Sequence, residues 1–390
     1  MRRRHSTTKR EMPLRIAIDA SRATTAQPTG TERYALRLIQ ALIKLNESRQ
    51  EPFRFSLYFR DAPGADLFAK SAYVEEIVIP FPRLWTHLRF AAALWRARPD
   101  ITFVPAHTLP ILFPGAGLVT VHDLGYRHFP EAHSRAQRAY LNFTTRFGQR
   151  RAALVLADSE ATAKDLSRFY RTPADKIRVV YPGVDGDNLR PAAKRIDATR
   201  ARYQLPERYF VFIGTLQPRK NIEGLVKAFG RWQREYHAGE TALVLAGAEG
   251  WLFDETWLQG AANVRVTGYI DEAHKGSLLA GAIALVFPSL YEGFGFPVIE
   301  AMHCGTPVIA SKTSSLPELV GDAGLLVDPV DAAAIAEAMD RCSADAALRQ
   351  TLIERGYRRA RRFTWDASAA KVMEAFDELG AYAGSGHASI

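Results

Sequence analysis

Two carboxylates with seven residues between them bracket an apolar, glycine-rich segment in the second half of the chain: Glu292-Gly-Phe-Gly-Phe-Pro-Val-Ile-Glu300. A solvated helix face does not have this composition. Glu292 follows an apolar run, and Gly293 and Gly295 allow a ligand close to the backbone. Pro297 suits a first helical turn, so the free N–H groups and dipole of that helix favour a phosphate. Glu300, inside the helix, is placed to accept hydrogen bonds from ribose hydroxyls. A second cluster lies upstream in Phe212-Ile-Gly214-Thr-Leu-Gln-Pro-Arg219-Lys220-Asn221. Two cations meet a helix start there, which suits a diphosphate: Arg219 can bind bidentately and Lys220 acts as a point charge. The third cluster, Thr120-Val121-His122-Asp123, ends a strand at an edge where polar residues carry function. Gly30 sits in the loop after the first strand, with Arg33 and Tyr34 in the helix that follows, and these could line the same cleft.

Other chemistries are poorly served. After the first strand the chain reads Asp19-Ala-Ser-Arg-Ala-Thr-Thr-Ala-Gln-Pro-Thr-Gly30, with neither the GxGxxG of redox dinucleotide sites nor a Walker loop. The two cysteines, Cys304 and Cys342, have no partners at zinc-ligand spacing, and no disulfide framework is expected.

The elements that must hold these residues alternate. Strands are expected at 14–20, 54–59, 75–80, 101–106, 118–123, 153–159 and 177–185, with helix-length segments between them. After a polar stretch at 188–208, taken as a linker, the pattern restarts at 209–215, 242–248, 264–270, 283–289, 307–311 and 324–329. Such alternation implies βαβ units and parallel sheets. The expected organisation is a first domain over 1–190, a linker over 191–208 and a second domain over 209–363. A last helix within 364–390 packs back on the first domain and ends in a frayed tail. Residues 101–121 carry no charged side chain, but Pro105, Pro110 and Pro114 break any spanning helix, so the run is read as two buried strands flanking a loop. The first sixteen residues lack the apolar stretch of a secretory signal, and a cytoplasmic location is expected.

The net charge of +9 is unevenly placed. Residues 1–190 hold 30 lysines and arginines against 18 acidic residues; residues 191–390 hold 21 against 24. No motif for nucleic acid accompanies the basic half, which leaves solubility or an anionic membrane surface. In 81–98, Trp85, Leu88 and Trp95 interleave with Arg83, Arg89, Arg96 and Arg98. That stretch suits a lipid interface, or equally an amphipathic helix covering a sheet.

In this order and spacing, the three clusters resemble the retaining glycosyltransferases of family 4, from Ile16 to about Trp365. The resemblance implies an α/β, GT-B fold: two Rossmann-like domains whose parallel sheets face an interdomain cleft. It implies that Arg219, Lys220 and Gly30 hold the donor diphosphate. Gly214, Gly293, Phe294, Gly295 and Glu300 then bind donor sugar and nucleotide, with Glu300 on the ribose. His122 and Glu292 are the catalytic candidates beside the donor sugar. Where the family often has a Gly-Gly pair, this loop reads Pro28-Thr29-Gly30. No metal or other cofactor is implied, and Asp185-Gly-Asp187, like the metal-binding D-x-D of the other glycosyltransferase fold, is read as a turn.

Residues 121–131, 157–170 and 214–221 look most like bacterial mannosyltransferases of exopolysaccharide and O-antigen assembly. These imply GDP-mannose as donor, a polyprenyl-diphosphate-linked oligosaccharide as acceptor, and a peripheral position on the inner face of the cell membrane. Two alternatives stand beside this: a UDP- or dTDP-dependent glucosyl- or rhamnosyltransferase of the same fold, and a non-catalytic sugar-nucleotide-binding scaffold.

Overall fold

The computed structural model describes residues 12–25, 30–81, 84–186, 191–236, 240–250 and 252–384. Two wholly parallel sheets account for the strands. The first holds β1 (Arg15–Asp19), β2 (Arg54–Phe59), β3 (Val74–Val78), β4 (Ile101–Val104), β5 (Ala116–Val121), β6 (Leu154–Ala157) and β7 (Ile177–Val179), in the order 3-2-1-4-5-6-7. The second holds β8 (Tyr209–Ile213), β9 (Ala242–Ala246), β10 (Val264–Gly268), β11 (Leu285–Phe287), β12 (Val308–Ser311) and β13 (Leu325–Val327), in the order 10-9-8-11-12-13. Counted from β8, the second sheet repeats the first. Each changes direction beside its first strand, where a ligand crevice opens at the carboxyl edge.

In chain order the helices are α1 (Gly30–Glu47), α2 (Ala91–Ala97), α3 (Gly125–His128), α4 (Arg135–Arg151), α5 (Glu160–Tyr170), α6 (Ala193–Tyr203) and α7 (Ile222–Tyr236). They continue as α8 (Glu272–Ala280), α9 (Phe296–Cys304), α10 (Leu316–Val320), α11 (Ala332–Ala344), α12 (Ala346–Ala360) and α13 (Trp365–Gly384). In α1, Tyr34, Leu38, Ile39, Leu42 and Ile43 recur at helical spacing and are buried, which fixes its inner face. The uncharged run 101–121 forms β4 and β5 around a loop. Ile101, Phe103, Leu118 and Val119 are fully buried because helices cover both faces of the sheet.

Two segments refine the expected organisation. The polar stretch taken as a linker contains α6, which is bound to the second domain rather than free: Thr199 Oγ1 lies 2.9 Å from His274 Nδ1, and Arg202 pairs with Asp271 at 2.9 Å. The last helix, α13, leaves the second domain and lies in the core of the first. Its Phe376 ring meets Phe53, Phe55 and Phe103 with centroids 5.9, 6.2 and 5.6 Å apart.

The stretch 81–98 forms a π-helical turn (Thr86–Phe90) running into α2. Trp85, Phe90 and Leu94 are buried against the first sheet, so Trp85 is a core residue rather than an interfacial one. Leu88 and Trp95 remain exposed on the outer side with Arg89, Arg96 and Arg98; Arg83 lies outside the described residues. Among the described residues no helix is long and apolar enough to cross a membrane. Asp185 pairs with Arg37 at 2.8 Å, and Asp187 falls outside the described residues.

Candidate active site

Adjacent strands deliver the first pair of side chains. β5 and β6 run in register, with Val121 beside Ala157, so the residues that follow each strand, His122 and Asp158, emerge side by side. His122 Nδ1 lies 2.8 Å from Asp158 Oδ2, and the Tyr34 ring packs edge-on to the imidazole at 4.8 Å. An acceptor on Nδ1 fixes the tautomer, and Nε2, buried and unbonded among the described residues, is left as the free nitrogen. Burial opposes a charged imidazole, but the Asp158 charge and hydrogen bond, with the Asp123 charge, hold the His122 pKa above the ordinary histidine value. Next to it, burial and the neighbouring His122 push His107 down; its Nε2 is 3.0 Å from the Asp123 carbonyl.

Glycines in the second domain let its loop rest on this strand end. A Cβ on Gly293 would sit 2.1 Å from the His122 carbonyl oxygen, so no other residue fits without displacing one domain. The close approach expected for a ligand is used here by the first domain's backbone. Gly295 has φ +120°, a conformation that side chains rarely adopt, and it opens α9 with Pro297 in the first turn. The residue before the pair, Tyr291, reaches across: its hydroxyl donates to Asp165 Oδ2 at 2.8 Å and accepts from the Leu124 N–H at 3.1 Å. His128 stacks on the Tyr291 ring at 4.2 Å and shares Asp165.

Arg219 and Lys220 converge on Glu292. Lys220 Nζ is 2.5 Å and Arg219 Nη1 3.3 Å from its carboxylate, and Arg219 also donates to the Tyr291 carbonyl at 2.9 Å. Burial alone would raise the Glu292 carboxyl, but the two cations bring it below the usual range. Burial lowers the Lys220 pKa despite Glu292. Asp123 opposes Arg219 from the first domain, and although burial works against its charge, Arg219 and the Gly125 N–H keep it ionised. Gly214 follows β8, beside the Lys220 side chain.

Glu300 forms a separate knot. It is 4% exposed and accepts from Lys275 Nζ at 2.5 Å and Arg33 Nη1 at 3.1 Å, the latter from α1 across the cleft. Glu272 joins both cations. Gly30 starts α1 opposite α9, with the Phe296 ring 3.6 Å from its Cβ position; Pro28 and Thr29 lie outside the described residues. The Phe294 ring is 4% exposed in the second domain's core, edge-on to Phe296 and Phe363.

Beside the cleft, a cavity of about 390 Å³ opens at the carboxyl ends of β1 and β2, lined by Ser21, Arg22, Arg60, Trp85, His87 and Tyr140 among others.

Residues 28–188 match the Glycosyltransferase Family 4 family and residues 196–359 match Glycosyl transferases group 1. The chain is 30% identical over 369 residues to O-antigen chain mannosyltransferase B of Escherichia coli, covering 90% of this chain and 96% of that protein. The chain belongs to the family 4 glycosyltransferases. The glycosyltransferase is also 33% identical over 245 residues to a D-inositol 3-phosphate glycosyltransferase of Salinispora arenicola, covering 57% of this chain and 54% of that one. Among solved structures it resembles sucrose-phosphate synthase of Thermosynechococcus elongatus, with a TM-score of 0.73, 25% identity, and coverage of 95% of this chain and 100% of that one. The fold is GT-B.

Several groups of the glycosyltransferase's site had no sequence signal. Lys275 and Glu272 carry no motif, and only packing brings them to Glu300. Asp158 did have one: it follows β6 as His122 follows β5, and parallel register pairs them.

Proposed function

We infer that this glycosyltransferase transfers mannose from GDP-mannose, with retention, to a polyprenyl-diphosphate-linked oligosaccharide in bacterial exopolysaccharide or O-antigen synthesis. The observation that carries this is the 30% identity to the E. coli O-antigen chain mannosyltransferase, which extends over 96% of that protein and so includes both domains. A likeness limited to the second domain would speak only to the donor side.

In this scheme Arg219, Lys220 and the start of α9 stabilise the charge that develops on the leaving diphosphate, and no metal takes part. Glu300 takes the ribose and Glu292 the donor sugar. Gly30, at the start of α1, adds backbone to the diphosphate site. His122, held at Nδ1 by Asp158, turns Nε2 to the reacting centre. The departing phosphate accepts the acceptor's proton. The acceptor sugar occupies the first domain, where the cavity beside β1 and β2 offers Trp85, Tyr140, Arg22 and Arg60. The exposed Leu88 and Trp95 with Arg89, Arg96 and Arg98 suit a peripheral contact with an anionic membrane on its cytoplasmic side.

Calorimetric titration with GDP, UDP, dTDP and ADP tests the donor. GDP is expected to bind selectively, with affinity at least about tenfold weaker in Arg219→Ala. His122→Ala is expected to keep nucleotide affinity and lose turnover. Selective UDP or dTDP binding moves the donor to a different sugar nucleotide, and binding of none of the four overturns the enzymatic scheme.

A further inference from the structure

A second basic cavity lies on the outer flank of the first domain. It has a volume of about 570 Å³, within the usual range of small-molecule sites, and lies between the carboxyl-terminal parts of α4 and α5. Arg127, Arg146, Arg150, Arg171 and Lys176 line it, and among the described residues no carboxylate does. The amino end of α5 is elsewhere: its Glu160 and Ala161 N–H groups are taken, at 2.9 Å each, by Glu318 of the second domain. The cavity therefore differs from the interdomain site.

Helix dipoles account for only some of these charges: Arg150 lies in the last turn of α4 and Arg171 at the carboxyl cap of α5, whereas Arg146 lies further inside α4. The carboxyl end of a helix favours a nearby cation, and at α4 Lys176 serves that purpose, donating to the Gln149 and Arg150 carbonyls at 3.0 Å each. The four guanidiniums that line the cavity come from α3, α4 and the residue after α5, and none is ion-paired among the described residues. The Arg127 guanidinium carbon lies 5.0 Å from the centre of the Phe169 ring and 6.0 Å from that of Tyr170. The Tyr170 hydroxyl donates to Asn142 Oδ1 at 2.9 Å, and Asn142 lines the cavity with its amide N–H groups not used in that bond. Guanidiniums gathered without a counter-charge repel one another, and planar donors with an amide match phosphate oxygens.

We propose that this cavity binds a phosphate-rich anion of the diphosphate class, either free in solution or carried on a lipid. The occupant's phosphates neutralise Arg127, Arg146, Arg150 and Arg171 and accept from Asn142.

The test uses the full chain and inorganic diphosphate, titrated by calorimetry into wild type, R146S/R150S/R171S, R146K/R150K/R171K and R219A. The expected result for a free anion is binding that weakens at least about tenfold in the serine variant, is largely restored by lysine, and is unaffected at this site by R219A. For a lipid-borne anion, the serine variant loses at least about tenfold in sedimentation with phosphatidylglycerol vesicles, R89S/R96S/R98S retains this component, and phosphatidylcholine vesicles bind neither. A serine variant equal to wild type in both assays overturns the proposal. Diphosphate binding lost only in R219A also overturns it, while leaving the donor site of the interdomain cleft intact. Matching melting temperatures of the serine and lysine variants separate loss of charge from loss of fold.

Discussion

Replacing Gly293 with alanine puts a methyl carbon 2.1 Å from the His122 carbonyl oxygen, where a carbon–oxygen contact needs about 3.3 Å. Neither group can yield alone. The carbonyl belongs to the end of β5, and the glycine loop is tied by the Glu292 N–H to Ser314 Oγ at 3.0 Å and by Ser315 Oγ to the Glu292 carbonyl at 3.1 Å. The domains must part by about 1 Å at this point, at the cost of overpacking, about 1–3 kcal/mol. The ratio of closed to open molecules then falls by about 5- to 150-fold. Gly30→Ala is the control: its methyl carbon meets the Phe296 ring at 3.6 Å, an ordinary contact, and closure is expected to match wild type. Small-angle scattering and thermal melting report closure, and kcat/KM for sugar transfer reports its consequence. Gly293→Ala with wild-type scattering, melting and turnover would refute the reasoning, as would equal loss of closure in Gly30→Ala.

Asp158→Asn removes the charge that sustains protonated His122, so the pKa falls towards the value that burial alone favours. Because the folded pKa of His122 is raised, its contribution to stability is complete below about pH 6.5 and is lost as pH rises through the folded pKa. The melting temperature of wild type minus that of Asp158→Asn is therefore expected to shrink as pH rises, and a difference independent of pH would count against the pairing. Tyr291→Phe loses the bond to Asp165 and the acceptor for Leu124 N–H, worth about 1–3 kcal/mol of interdomain contact; scattering should show a more open molecule and nucleotide titration a weaker affinity. Phe376→Ala removes the ring that α13 places against Phe53, Phe55 and Phe103, and denaturant unfolding should show a loss of about 3–5 kcal/mol in the first domain.

Much of the framework could be read from the sequence because buried parallel strands have little freedom. β2 occupies the same six residues, 54–59, in sequence pattern and structure. The uncharged run 101–121 resolved into β4 and β5 because three prolines exclude a continuous helix and a sheet covered on both faces requires apolar residues on both sides. The clusters around His122, Arg219 and Glu292 were visible for a related reason: each follows a strand, at the sheet edge that opens on the cleft. The inward turn of the Phe294 ring was not legible, because its glycine neighbours mark a loop and a loop's composition does not show which way one ring turns. The segment 188–208 looked like a tether because its composition is polar. Its attachment to α8 is made by hydrogen bonds and an ion pair, which leave no hydrophobic periodicity.

The pairing of charges was the least legible property, and it governs the chemistry of the cleft. Sequence spacing assigns Glu292 and Glu300 to a ligand and Arg219 and Lys220 to its phosphates, as if each group waited alone. A buried carboxylate without a partner is costly, and so is a buried ammonium. The fold meets both demands by joining them: Glu292 to Lys220 and Arg219, and Glu300 to Lys275 and Arg33. Arg33 comes from α1, so the Glu300 pairing also holds the two domains together. Under the proposed function, an incoming diphosphate competes with Glu292 for the same two cations. Release of Glu292 towards the sugar hydroxyls and capture of the phosphates by Arg219 and Lys220 are then one exchange, with the positive ends of the helices favouring the anion.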